Sequence, residues 1–182
     1  MNKILHSPTD RKQIEHMLIN ANFNGHAIVL DSPHTVTDII LDKYDYVIGL
    51  INIHDGGHHW LAYHKNGSDG VCVFDSYGLN PEHNSFYDVR ECITDPHKVV
   101  YTPQNYTGFQ SPSTAVCGEY CVAFILNGGS VPAMRSRIGL IDVSDTQILN
   151  NHGNTHKYIK DSQQAYNNDK KLAEYIKPYI KL

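Results

Sequence analysis

The sequence predicts an α+β fold, with a central and mainly antiparallel sheet, a buried helix packed on it and further helices flanking both. Three observations carry that expectation. Short apolar or alternating runs gather in the middle of the chain, at residues 46–53, 60–64 and 71–75, broken by Gly56-Gly57 and Asn66-Gly67. Helical periodicity lies on either side of these runs. Residues 113–126 carry almost no polar face, and a helix apolar nearly all round is an enclosed one.

Taken in order, residues 8–21 read as a short amphipathic helix with Ile14, Met17 and Leu18 on one side and Ser7 or Thr9 as its cap. Residues 31–33 form a turn, and residues 35–41 a second short helix. The three central runs then fold back on one another as an antiparallel meander. Residues 81–92 read as helix and residues 98–101 as another strand. In the enclosed helix, Val116, Val122, Ala123, Phe124, Ile125 and Leu126 leave Glu119 as the only charge, and Asn127-Gly128-Gly129 stops it. Residues 155–182 read as one or two helices with a break at Pro178. There is no internal repeat and no low-complexity linker. The 182 residues are expected to form one domain, 1–182, with 155–182 packed on it as a C-terminal helical segment.

Hydrophobic residues make up 41% of the chain and charged residues 19%, an ordinary globular balance. A net charge of −4 argues against a dedicated nucleic-acid binder. Six lysines from Lys157 onward, against Asp161, Asp169 and Glu174, would confine any weak anion contact to the C-terminal segment, and a solvated helix face is the simpler reading of them. No run of about 18 apolar residues exists, so no membrane span is expected. Residues 1–10 lack a signal peptide's apolar stretch. The chain is therefore expected to stay intracellular in a reducing compartment, with Cys72, Cys92, Cys117 and Cys121 as free thiols. Their spacing is a weak zinc signal, so no metal is expected on them.

Cys117 lies near the start of the enclosed helix, between the small residues Ala115 and Gly118. A helix N-terminus stabilises a thiolate, and small neighbours let a carbonyl approach the sulfur. A free cysteine is more often a small core hydrophobe, and Cys121, one turn further in, fits that description. A nucleophilic thiol needs a base within reach and a group that orients the base. In Gly56-Gly57-His58-His59-Trp60, a turn delivers histidine to a strand start, and Asp75 ends the neighbouring strand. His59 stands eight positions before Gly67 of the Asn66-Gly67 turn and Asp75 eight positions after it, so hairpin register places the two side by side. A surface histidine and a turn-capping aspartate are the plainer alternatives. Gln110, seven residues before Cys117, offers a side-chain amide that could join the Cys117 N–H in holding an oxyanion, though alone it reads as a loop residue.

These residues together resemble a known family. His59-Trp60, then Phe74-Asp75-x-Tyr77-Gly78, then Gln110 followed by Ser113-x-Ala115-x-Cys117-Gly118, is similar to the adenovirus protease family (adenain), within the clan that includes the SUMO and ubiquitin-like-protein proteases. The likeness runs from about Phe23 to the end and includes the paired glycines before His-Trp and an aromatic-rich C-terminus. It implies Cys117 as nucleophile, His59 rather than His58 as base, Asp75 as orienter and Gln110 as oxyanion donor. It also implies a substrate groove, with Trp60 and Gly118 substrate-binding, that narrows to admit only Gly-Gly or Gly-x-Gly. The implied function is a cysteine endopeptidase cutting viral capsid or core precursors during virion maturation, active in the host cell and virion, as in adenoviruses, virophages and Maverick-type elements. No cofactor is demanded by the sequence, and a monomer is expected. The family implies an activating peptide and DNA. Val99 stands where the adenovirus enzyme's peptide-linking cysteine would be and Cys92 lies seven residues earlier, so a covalent peptide link is not expected.

Three rival readings stay open at this level. A deSUMOylase or deubiquitinase-like protease would share the chemistry, but only about 58 residues precede His59 to form a docking surface. A metal hydrolase could use His54, Asp55, His58 and His59, yet Gly56-Gly57 breaks the helix that His54 and His58 would need. A non-catalytic binding protein would have no need of all four catalytic-type residues.

Overall fold

The computed structural model describes residues 3–31, 42–52, 57–66, 70–78, 100–103, 108–143, 148–149, 156–157 and 162–180. The helices expected at 35–41 and 81–92 lie outside these residues, as do His54, Asp55, Cys92 and Val99.

A one-turn helix α1 (Lys3–His6) leads into α2 (Arg11–Asn20). The cap of α2 is Asp10, not Ser7 or Thr9. Its carboxylate accepts from the Gln13 N–H at 2.8 Å, and the Gln13 side chain accepts from the Asp10 N–H at 2.8 Å. This reciprocal pair starts the helix one residue later than a Thr9 cap would. Thr9 is used across the molecule instead. Its hydroxyl donates to Glu119 Oε1 at 2.5 Å, and its carbonyl accepts the Trp60 indole N–H at 2.9 Å.

Five strands form one sheet in chain order: β1 (Ala27–Leu30), β2 (Tyr46–Asn52), β3 (His58–Asn66), β4 (Gly70–Phe74) and β5 (Val100–Pro103). The expected antiparallel meander is its centre, β2-β3-β4. The two outer pairings, β1 with β2 and β4 with β5, are parallel. Strand β1 has no counterpart among the sequence expectations. Parallel edge strands arrive by long crossovers, and alternation within a short run gives no sign of such a partner.

Helix α3 (Cys117–Leu126) begins at Cys117 itself and buries every residue from Gly118 to Ile125. It lies on the face of β3 that carries Trp60, Ala62 and His64, with Phe124 stacked on Phe74 at 4.6 Å and 6°. Gly118 sits in a tight spot, where a Cβ would meet side-chain atoms of Ile14, Thr9 and Trp60 at 3.1–3.3 Å. The helix ends as expected, with the Gly129 N–H returning to the Phe124 carbonyl at 3.0 Å. Then comes α4 (Val131–Ile138), capped by Ser130. A two-stranded ribbon follows, β6 (Ile148–Leu149) with β7 (His156–Lys157).

The C-terminal helix α5 (Ser162–Ile176) passes into a 3-10 turn (Lys177–Tyr179), so the break falls at Pro178 as expected. Ala165, Leu172, Ala173 and Ile176 are buried, and so are Asn168 and Asp169. Its described lysines have local partners: Lys170 over the Tyr166 ring at 5.1 Å, Lys171 on the Gly139 carbonyl at 2.6 Å, and Lys177 near Glu174 at 3.6 Å. Among the described residues, no helix is long and apolar enough to cross a membrane.

Candidate active site

A cleft of about 770 Å³ opens where α2, the start of β3 and the start of α3 meet. Cys117, His59, Gln110, Trp60 and Tyr77 line it, with Thr9, Asp10 and Arg11 on the α2 side.

His59 enters through the hairpin. The β3–β4 ladder ends at Ala62 opposite Phe74, so Asp75 follows the last paired residue of β4 while β3 continues back to His59. The His59 Nε2–H donates to Asp75 Oδ1 at 2.8 Å, and both side chains are nearly inaccessible to solvent, 1% and 5% exposed. Asp75 Oδ1 also accepts the Tyr77 N–H at 2.9 Å, which holds the carboxylate while the Tyr77 ring stacks on the imidazole at 4.8 Å. With Nε2 committed to Asp75, Nδ1 is the ring nitrogen left for the Cys117 sulfur, which lies within hydrogen-bond reach. Burial by itself would lower the imidazole pKa. The facing Cys117 sulfur and the Asp75 carboxylate outweigh it and raise the pKa to about 10.

Cys117 is the half-exposed thiol on this cleft. Cys72 and Cys121, the other described cysteines, are buried. Burial first, then the neighbouring charges of Cys117, Asp75 and Glu119, push the Cys121 thiol well above its ordinary value, so it stays protonated. The backbone before Cys117 is tied to α1, where the Ala115 N–H donates to the Leu5 carbonyl at 2.9 Å.

Gln110 is buried, and both ends of its amide are assigned. Its Oε1 accepts from the Ser76 hydroxyl at 2.5 Å, and its Nε2 donates to the Thr114 carbonyl at 3.2 Å. A primary amide has two N–H bonds, so the second is left for the cleft that Gln110 lines. The Phe109 and Gln110 N–H groups both donate to the Ser76 carbonyl, at 2.8 and 3.1 Å. Gly108 permits this docking, since a Cβ there would lie 2.5 Å from the Tyr77 carbonyl oxygen.

The structure thus brings His59, Gln110, Cys117 and Trp60 to one cleft, with Asp75 bonded to His59 behind it. Gly118 is buried beside that lining, with the site of its missing Cβ facing Ile14, Thr9 and Trp60. His58, the competing histidine, bonds Asn52 Oδ1 at 3.1 Å on the exposed side of β3. Sequence reasoning missed Ser76, although it sits inside the Asp75-Ser76-Tyr77 run, and gave Tyr77 no role. It also missed Thr9 and Arg11 as cleft residues, and no local pattern marked them.

On this α+β fold a buried imidazole, bonded to a carboxylate, shares one cleft with a half-exposed thiol. The chain is 23% identical over 137 residues to a protein named "Protease" from Bovine adenovirus C serotype 10, a match covering 69% of each chain. That distant likeness supports an adenain-like relationship and a protease. No family model matches the chain.

Proposed function

We propose that the chain is a cysteine endopeptidase that processes viral capsid or core precursor proteins, cutting after Gly-Gly or Gly-x-Gly. The observation that carries the cysteine chemistry is the fully buried His59, bonded to Asp75 on one ring nitrogen and facing Cys117 with the other. The Cys117 thiolate attacks the carbonyl carbon of a glycine, and the electron pair moves to the oxygen. The second Gln110 N–H and the Cys117 backbone N–H are suited to hold that oxyanion. The His59 imidazolium then gives its Nδ1 proton to the departing amine as the C–N bond breaks, leaving a thioester on Cys117. His59 next takes a proton from water, whose oxygen attacks the thioester carbon; the C–S bond breaks, the glycine carboxyl product leaves, and the Cys117 thiolate and His59 imidazolium are restored.

The virion role and the glycine preference rest on the motif resemblance together with the distant adenovirus relative. A DNA or peptide cofactor is left as part of this proposal, to be tested by adding each to the assay. The deciding experiment incubates the protein with a capsid precursor carrying Gly-Gly and Gly-x-Gly sites, alongside a SUMO fusion and a Cys117→Ala variant. Cleavage after the second glycine by the wild type alone supports the proposal. Cleavage of the SUMO fusion only would transfer the function to a deconjugating protease, and activity retained in Cys117→Ala would remove the thiol mechanism.

A further inference from the structure

We propose that Asp169 and Asn168 of α5 are positioning residues that set the oxyanion-binding Gln110 loop against the nucleophile helix. The inference rests on the cysteine-protease reading above and assigns a task to two residues that no motif contains.

The geometry is specific to that loop. Asp169 Oδ2 accepts from the Ser111 N–H at 3.0 Å and from the Thr114 hydroxyl at 2.7 Å, while Oδ1 accepts from the Tyr120 hydroxyl at 2.9 Å. One buried carboxylate therefore joins three elements: α5, the loop after Gln110, and α3 one turn beyond Cys117. Thr114 is also the residue whose carbonyl holds the Gln110 amide, so Asp169 sits one side chain from the proposed oxyanion donor. Asn168 works on the other side. Its Nδ2 donates to the Phe109 carbonyl at 3.2 Å and to the Ile141 carbonyl at 2.7 Å, and its Oδ1 accepts the Ile141 N–H at 3.0 Å. The loop is thus gripped immediately before and immediately after Gln110 by adjacent residues of one helix.

The chemistry of Asp169 favours a functional reading. Burial raises its pKa to about 6, against the lowering effect of its three donors. A carboxyl raised in the fold makes the charged form a net cost to stability at neutral pH. An apolar side chain at this point of α5 would pack without that cost, but would take the acceptor from the Ser111 N–H and the Tyr120 hydroxyl and leave the Thr114 hydroxyl only the Ser111 carbonyl at 3.0 Å. Two acceptor oxygens aimed at three donors tie the loop to α3 and α5, and an oxyanion hole depends on such positioning.

The test uses a Gly-Gly peptide substrate, the matching peptide aldehyde, and iodoacetamide. The aldehyde forms a hemithioacetal whose oxygen sits in the oxyanion hole, whereas alkylation by iodoacetamide has no oxyanion. Asp169→Ala is expected to lower kcat about 10- to 100-fold, short of the 10²–10³ typical of deleting an oxyanion donor outright. KM should change little. Aldehyde affinity should fall in parallel with kcat, and the alkylation rate of Cys117 should stay at the wild-type value. On a Gln110→Ala background, Asp169→Ala should add almost no further loss, because it acts through that amide. Asp169→Asn keeps the shape and one acceptor, so it should recover part of kcat and serves if the alanine variant fails to fold.

A folded Asp169→Ala with full kcat, or losses that multiply with those of Gln110→Ala, overturns the inference. Wild-type protein that neither cleaves nor shows His59-dependent alkylation of Cys117 overturns instead the reading on which it rests.

Discussion

On one wall of the cleft, His59 and Asp75 meet across a hairpin, 16 residues apart in the chain. On the other, Gln110 and the start of α3 are held by Ser76, Asp169 and Thr9, whose bonds span 34, 58 and 110 residues. The first wall lies within one hairpin, since the register that pairs Ala62 with Phe74, carried one step further, sets Asp75 beside Leu61 and one diagonal from His59. The second exists only once the N-terminal helices, the sheet and the C-terminal helix have packed. The imidazole–carboxylate pair is thus built locally, while the placement of the Gln110 amide depends on the whole fold.

Substitutions should separate the two walls by size of effect. The largest loss is expected from the hairpin wall: His59→Ala should lower kcat about 10⁴-fold or more and abolish the fast alkylation of Cys117. Gln110→Ala should lower kcat about 10²–10³-fold while leaving alkylation intact, and equal effects of the two on alkylation would erase the distinction. Asp75→Ala should be about 10- to 100-fold less damaging than His59→Ala, because orienting an imidazole is a smaller task than transferring its proton. Steady-state kinetics of both variants on one substrate would show whether the order holds.

Ser76 joins the walls, one residue after Asp75 and bonded to the Gln110 amide. Ser76→Ala frees that amide to turn, and about a 10-fold loss of kcat is expected, with none added on a Gln110→Ala background. Multiplying losses would mean that Ser76 acts on the hairpin instead.

The smallest effects concern stability. Burial raises Glu119 to about 7 and Asp169 to about 6, so each favours the fold while protonated. Glu119 loses that contribution as pH rises from about 4.5 through 7, and Asp169 as it rises from about 3.8 through 6. His59, raised to about 10, contributes fully below about 6.5 and loses its contribution as pH climbs through 10. All three have the same sign, so thermal melts should show Tm falling by a few degrees between pH 5 and 8. Glu119→Gln and Asp169→Asn should each flatten that slope.

The same contrast explains what was legible in the sequence. His59 and Asp75 are bonded to each other, as the hairpin suggested, although Asn66 pairs with Gly70 and the chain reverses beyond it rather than at Asn66-Gly67; Cys117 stands at the start of the enclosed helix. The α+β class and the helix stop at Gly128-Gly129 were equally plain. Strand β1 and the parallel pairing of β5 were not, because a parallel partner leaves no mark within the run itself. Asn168 and Asp169 look in sequence like part of a solvated helix face beside Lys170 and Lys171, and only packing turns them inward. The packing of Gly118 against Ile14, Thr9 and Trp60 was likewise not legible beside Cys117, because those neighbours come from distant parts of the chain.

The most direct measurement is the iodoacetamide alkylation rate of each cysteine between pH 5 and 8, read by peptide mass spectrometry on the wild type and on His59→Ala. The account predicts fast labelling of Cys117 well below an ordinary thiol pKa of about 8.5, lost in His59→Ala, with Cys72 and Cys121 slow throughout. Labelling of Cys117 no faster than an ordinary exposed thiol, or unchanged by His59→Ala, would contradict it.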